Sequence, residues 1–455
     1  MTSSFLTNRQ RDELNASILQ YLAASGLQSS HEALRNELGI RDGGFDEDVT
    51  SYDGLLEKKW TSVVRLQKKI MDLESHVASL QTELDTLPSS SRKVTDPVAW
   101  LPRTSKYTLV GHRQAVNSIA FHPVFSVLAS GSDDTMIKIW DWELGELERT
   151  VKGHTKGVLD LDFGGRPGEE LLVSCSADLT IKLWNANDEY KNIRTLKGHD
   201  HTVSCVKFLP DGERIVSASR DNTLRIWAVK TGYCLRSIVG HSDWIKGVVP
   251  TPDGELLLSV AADNTARITE VLTGDNRLTV AAHDHVIECC AIAPQSSYNY
   301  IANLTESKRI PPTSSSFEYF ATAGRDRTIK IWDFRGNLLL TLVGHDNWVR
   351  SIVFHPGGKF LISAGDDKTI RCWDFTQGGR CVRTIENAHD HFVSALKWAP
   401  SINAKEQNGT VGTNGNSNGN GNGRAIGNSS SSHWPSIRCV VASASVHMDV
   451  KIWMA

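Results

Sequence analysis

The sequence predicts an all-β fold, a seven-bladed propeller, carried behind a small α-helical N-terminal region. Two observations predict it. Seven Gly-His or Ala-His steps recur along the chain, at Gly111-His112, Gly153-His154, Gly198-His199, Gly240-His241, Ala282-His283, Gly344-His345 and Ala388-His389. Each is followed by a strand-like segment that closes at Trp140, Trp184, Trp227, Thr269, Trp332, Trp373 and Trp453. A unit of this size cannot bury its apolar face alone, so such units stack, one per blade.

Within a unit the residue types keep a fixed spacing. A Ser or Thr stands four residues before an Asp, and the Asp six before the closing residue. The third unit reads His199, Ser217, Asp221, Trp227. The others follow as Ser130-Asp134-Trp140, Ser174-Asp178-Trp184, Ser259-Asp263-Thr269, Thr322-Asp326-Trp332 and Ser363-Asp367-Trp373. A buried His, hydroxyl, carboxylate and indole satisfy one another's donors and acceptors. Left unpaired, each would cost about 1–3 kcal/mol. Period and marks together are the signature of the WD repeat, with four strands per blade. Ser, His and Asp also make catalytic triads. Here each copy sits beside a Trp that would cap it, and no G-x-S-x-G elbow accompanies it. The sets are therefore read as structural and the chain as no enzyme.

The segments between these marks alternate as half-buried strands do, as in Val116-Asn117-Ser118-Ile119-Ala120-Phe121. Turn signals such as Pro210-Asp211-Gly212 separate them. After Trp453 there is no sequence for a fourth strand, while Lys106-Tyr107-Thr108-Leu109-Val110 is a spare strand before the first unit. Pairing the two would remove both free edges. Three departures stand out. Unit four closes on Thr269, and unit seven has His447 where the Asp is expected. Units five and seven are long, with extra residues between their first and second strands, on the face opposite the Gly-His loops. The longer insertion, 401–433, is a Gly/Asn/Ser tract expected to be disordered. Its deletion is expected to leave the fold intact.

A chain of 455 residues with 40% hydrophobic composition supports one large domain and an appendage. A net charge of −3 gives no global attraction to nucleic acid or membrane. No apolar run approaches the ~18 residues of a membrane span, and the first residues do not read as a signal peptide. The eight cysteines are scattered without metal-ligand spacing, so no metal or cofactor is expected. A reducing cytosol suits them.

Before the propeller, residues 55–87 keep a heptad register. Leu56, Val63, Ile70, Val77 and Leu84 fall at position a, and Lys59, Leu66, Leu73, Leu80 and Leu87 at d. β-branched residues at a with Leu at d favour a parallel two-stranded coiled coil. Upstream, residues 9–41 read as two short amphipathic helices broken near Gly26 and carrying Leu14, Ile18, Tyr21 and Leu22. So small a pair buries little alone and should self-associate. Residues 88–104, rich in Ser and Pro, read as a flexible linker to a propeller spanning 105–455.

The helical pair resembles the LisH dimerisation motif. LisH, coiled coil, linker and seven WD repeats in that order resemble the lissencephaly protein family, whose filamentous-fungal members are the nuclear distribution F (nudF) proteins. The specific stretches are Ala99-Trp100-Leu101-Pro102-Arg103, Phe121-His122-Pro123-Val124-Phe125-Ser126, Cys175-Ser176-Ala177-Asp178 and Gly344-His345-Asp346-Asn347-Trp348-Val349-Arg350. The long insertion in unit seven leans toward a fungal member. The resemblance implies a homodimeric regulator of cytoplasmic dynein, acting in the cytoplasm and on the cytoskeleton at microtubule plus ends and spindle poles. The implied partners are the dynein heavy-chain motor domain and a nuclear distribution E type coiled-coil protein, with dynactin engaged indirectly.

In such a propeller the Gly-His loops and the Asp turns share the narrow top face. Arg220, Trp244, Lys246, Arg325, Trp348, Arg350 and Lys368 fall there. Exposed Trp ringed by Arg and Lys is a hot-spot pattern. From Asp96 onward basic and acidic residues are equal in number, so a basic face must come from placement. It would suit an acidic partner surface. The resemblance implies that the positions of Arg220, Arg325, Trp348 and Lys368 contact the motor. Lys246 stands where the family usually has Arg. Two other readings compete. One is a different WD/LisH adaptor, such as a ubiquitin-ligase substrate receptor or a corepressor. The other is an accessory subunit of a lipid esterase.

Overall fold

The computed structural model describes residues 101–166, 168–304, 317–400 and 439–454, together with 15, 18, 19, 21–23, 25, 27–37, 71, 98 and 100. The chain divides into two compact units, Met1–Thr95 and Asp96–Ala455.

In the first unit, helical residues reach Ala23, a turn follows at Ser25, and a second helix runs Gln28–Glu37. The Leu27 amide donates to the Leu22 carbonyl at 3.0 Å across the break. The second helix buries no residue, and Tyr21 and Leu27 are exposed. A helical pair that leaves Ile18, Leu22 and Leu34 only half-buried gains little from folding as a single copy. The heptad positions Val63, Leu66, Ile70, Leu73, Val77, Leu80 and Leu84, Leu14 upstream, and the Gly/Asn tract lie outside the described residues.

In the second unit, the described strands form seven four-stranded antiparallel sheets. In each, the strand after the Gly-His step is innermost and the chain meanders outward. The innermost strands pack side by side, and Val393–Trp398 meets Val116–Phe121 to close the ring. The spare strand behaves as expected. Tyr107–Val110 pairs with Asp449–Met454, Tyr107 opposite Ile452 and Val110 opposite Asp449, as the fourth strand of blade seven.

The anticipated polar sets assemble in the blades. In blade three, His199 Nδ1 lies 2.7 Å from Asp221 Oδ2, Nε2 lies 2.7 Å from Ser217 Oγ, and Trp227 Nε1 donates to that Oγ at 2.8 Å. The hydroxyl is fully buried and spent between imidazole and indole. The residue after each Asp is left-handed, at Thr135, Leu179, Asn222, Asn264, Arg327 and Lys368, with Met448 matching in blade seven. The turn demands this backbone even of side chains that disfavour it.

Blade seven corrects the sequence reading. His447 does not replace the carboxylate of the set. Asp449, two residues on, supplies it: His389 Nδ1 is 3.0 Å from Asp449 Oδ1. His447 points outward, 4.0 Å from Asp390. Blade four lacks its indole as expected. Thr269 is buried, and beside it a cavity of about 20 Å³ is lined by Leu224, Ile238, Ser259 and Arg267. The segment read as a linker is packed at its C-terminal end. Val98 and Leu101 are buried against Phe360 and Trp453, and Arg383 donates to both of their carbonyls.

One irregularity recurs in all seven sheets. The pairing of innermost and second strands slips by one residue after its first pair, for example between Ile245 and Gly247, Ile287 and Cys289, and Val349 and Ser351. A β-bulge leaves one residue outside the ladder and re-aims its side chain. In blades one, three and seven that side chain reaches the following blade. Asn117 Nδ2 donates to the Val158 carbonyl, Ser204 Oγ to that of Ile245 and Ser394 Oγ to that of Val116.

Candidate functional site on the top face

In blades four, five and six the bulged residues are Lys246, Glu288 and Arg350. Lys246 and Glu288 reach toward the next blade as the polar residues do elsewhere, but with charge, whereas Arg350 turns back to Glu288 and to Asp366 of its own blade. Glu288 is the centre. Its Oε1 accepts from Arg325 Nε at 2.5 Å, and its Oε2 lies 3.6 Å from Lys246 Nζ and 3.5 Å from Arg350 Nη1. Arg350 also clamps Asp366 through two bonds of 2.9 Å, from Nε and Nη2.

These cations lie over two indoles. Arg220 and Lys246 sit 4.6 and 3.6 Å from the Trp244 ring centre. Arg325 and Arg350 sit 4.1 and 5.0 Å from that of Trp348. Cation–π contacts of this kind are worth about 0.5–2 kcal/mol each, more when desolvated. The result is a ladder of alternating rings and charges from Arg220 in blade three to Asp366 in blade six. Gly365 makes room at its end. A Cβ there would stand 2.2 Å from the Trp348 carbonyl oxygen, which accepts from the Asp366 amide.

The electrostatics follow the geometry. Burial pushes the Glu288 carboxyl up, but Lys246, Arg350 and Arg325 outweigh it and hold it below the usual carboxylate range. Burial lowers Lys246 despite Glu288, with Arg325 and Arg350 adding to the effect. Burial also opposes the charge on Arg350, yet Asp366 and Glu288 raise it.

The structure thus brings together Arg220, Trp244, Lys246, Arg325, Trp348 and Arg350. Lys368 is on the same turn as Asp366 and Asp367, in its left-handed position, without a side-chain hydrogen bond or ion pair among the described residues. Two corrections apply. The tryptophans are half-buried, and Trp244 Nε1 is buried without a hydrogen-bond partner among the described residues. The face is also not uniformly basic, because Glu288 and Asp366 neutralise part of it. Both carboxylates escaped the sequence reading. The signal that could have found Glu288 is charge in one repeat position across three units, in Ile245-Lys246, Ile287-Glu288 and Val349-Arg350.

Comparison with known proteins places the chain. A model described as the PAC1 LisH domain matches residues 8–43. The WD domain, G-beta repeat model matches 103–141, 145–185, 190–228, 232–269, 274–333 and 336–374. A protein named nuclear distribution protein PAC1 from Gibberella zeae is 51% identical over 99% of both chains. Its namesake from Coccidioides posadasii is 54% identical, and nuclear distribution protein nudF 1 from Talaromyces marneffei 52%, each over 99% of both chains. The chain belongs to the PAC1/nudF family of nuclear distribution proteins. The six matched repeats stop short of blade seven, where Asp449 has taken over from the expected Asp position and the second strand is displaced by the insertion. The chain nonetheless closes that blade with the same hydrogen bonds as the others: His389 Nε2 lies 2.7 Å from Ser443 Oγ, and Trp453 Nε1 donates to it at 2.8 Å.

Proposed function

We propose that this protein is a non-enzymatic, homodimeric regulator of cytoplasmic dynein that binds the motor domain through the top face of its propeller. The ladder of Trp244 and Trp348 between Arg220, Lys246, Arg325 and Arg350 carries this reading. Ring faces and pre-organised guanidinium groups are the chemistry of an interface hot spot, and Arg220 and Lys368, which have no carboxylate partner among the described residues, suit a partner surface bearing carboxylates. Dimerisation through the LisH helices and the heptads of 55–87 would present two such faces at once, raising avidity without new contacts. The family's name supports a role in nuclear distribution. In this reading the protein works in the cytoplasm on the cytoskeleton, at microtubule plus ends and spindle poles, with a nuclear distribution E type protein as a second partner and dynactin engaged indirectly. The Ser-His-Asp sets contribute stability, their hydroxyls being buried and, outside blade four, bonded by both imidazole and indole.

The test is binding of the purified chain to a cytoplasmic dynein motor domain, beside an Arg220→Ala/Trp348→Ala variant. Binding by the wild type and its loss in the variant, at unchanged melting temperature, is expected. A folded dimer that does not bind would remove the dynein reading and leave a WD/LisH adaptor of another pathway. Binding that survives the double substitution would keep the partner and discard the face.

A further inference from the structure

We propose that Glu288 is a positioning residue for the partner-binding face: its carboxylate fixes Lys246, Arg325 and Arg350 against the two indoles. The inference rests on the dynein reading above and deepens it.

Three observations carry it. Glu288 occupies the bulged position of blade five, between Lys246 and Arg350 in the same position of the flanking blades. One side chain therefore meets cations from three blades. Its contacts are with Arg325 at 2.5 Å, Arg350 at 3.5 Å and Lys246 at 3.6 Å. Its side chain is only 7% exposed, so it offers a partner almost no surface of its own. Finally, every cation it touches also lies over an indole: Lys246 over Trp244, and Arg325 and Arg350 over Trp348. Without the carboxylate, three like charges would crowd the rim and separate, and the rings would lose the cations that cover them.

A charge placed for positioning and a charge merely present in a basic patch have opposite signatures. Removing a negative charge from a face that binds an acidic partner should tighten binding if only the summed field matters. It should weaken binding if that charge holds the contact groups in place, because ordering them would then fall to the partner. Glu288→Gln keeps the shape and removes the charge, so it separates the two.

The experiment measures the affinity of the full-length dimer for the dynein motor domain with wild type, Glu288→Gln, Arg325→Ala and the double variant. Glu288→Gln is expected to weaken binding about tenfold or more. Its effect should shrink in the Arg325→Ala background, since residues of one network are not additive. Should Glu288→Gln fail to fold, Glu288→Asp carries the same test, keeping the charge but shortening its reach. Equal or tighter binding by a folded Glu288 variant, or full additivity with Arg325→Ala, would overturn the positioning role while leaving the dynein reading in place. A folded wild type that does not bind the motor would overturn both.

Discussion

Asp449 Oδ1 lies 3.0 Å from His389 Nδ1, doing for blade seven what an Asp two residues earlier in the turn does for the others. In five blades the position of Asp449 holds a Thr (Thr180, Thr223, Thr265, Thr328, Thr369) whose hydroxyl donates to the neighbouring Asp. The acid and its helper have in effect merged. Asp449→Ala should therefore destabilise the propeller by roughly 1–3 kcal/mol, whereas His447→Ala, at an exposed side chain, should be nearly neutral. Thermal unfolding of the two variants checks this, and equal effects would refute it.

Blade four is the opposite case, a missing group with no replacement. Ser259 Oγ has its His241 bond at 2.9 Å but no indole donor, and the cavity of about 20 Å³ lies beside it. Thr269→Trp is expected to raise stability by roughly 1–2 kcal/mol, from buried apolar area and one hydrogen bond. A lower melting temperature would mean that blade four has repacked around Thr269 and is now overfilled.

His355 gives the propeller a sensitivity to acid. It is enclosed by Trp100, Trp398 and Phe360, with ring centres 4.8, 4.7 and 5.9 Å away. Burial pushes its pKa down to about 4, from 6.5. A depressed histidine must be neutral in the fold, so its contribution is complete above 6.5 and is lost as pH falls toward 4. The loss is roughly 3 kcal/mol. Burial lowers His112, His199 and His241 as well, which adds to the loss in the same direction. At lower pH the carboxyls follow. Asp221, Asp326 and Asp367, held at about 2 by their Thr and His partners against burial, lose their contribution as pH drops below the usual 3.8. Melting temperature should fall steadily from pH 7 to 4. In His355→Asn, whose side chain can still accept from the Gly357 amide, that slope should be visibly smaller. Identical slopes would place the sensitivity elsewhere.

Lys368 separates binding from folding. Its backbone is left-handed, φ 64°, a conformation Asn tolerates better than Lys. Lys368→Asn should leave the melting temperature level or slightly raised while weakening motor binding and reducing its salt dependence. If affinity is unchanged, Lys368 is a solvated loop charge.

The legible and illegible parts of this molecule divide along a physical line. Blade number, hydrogen-bonded sets and ring closure could be read directly, because each depends on residue type at fixed spacing. Arg220, Trp244 and Trp348 could be placed on the top face for the same reason. The β-bulge could not, since a one-residue slip in pairing leaves no composition signature. With it went the aim of Lys246 and Arg350 and the existence of Glu288 as their common partner. Asp449 escaped because the pattern fixes an atom's position, and a side chain two residues along can deliver the same atom. Val98 and Leu101 were read as linker on the strength of the Ser and Pro before them, though their apolar side chains are what blades six and seven cover.

Because blade seven takes its fourth strand from Tyr107–Val110 and its third from Asp449–Met454, its ends leave the ribosome far apart in time. At about 5–20 residues per second, roughly 20–70 s separate them. Throughout that interval the early strand has a bare edge and no mate, while blades one to six accumulate behind it. The nascent ring must wait, open on one side, until Asp449–Met454 has been made before it can shut.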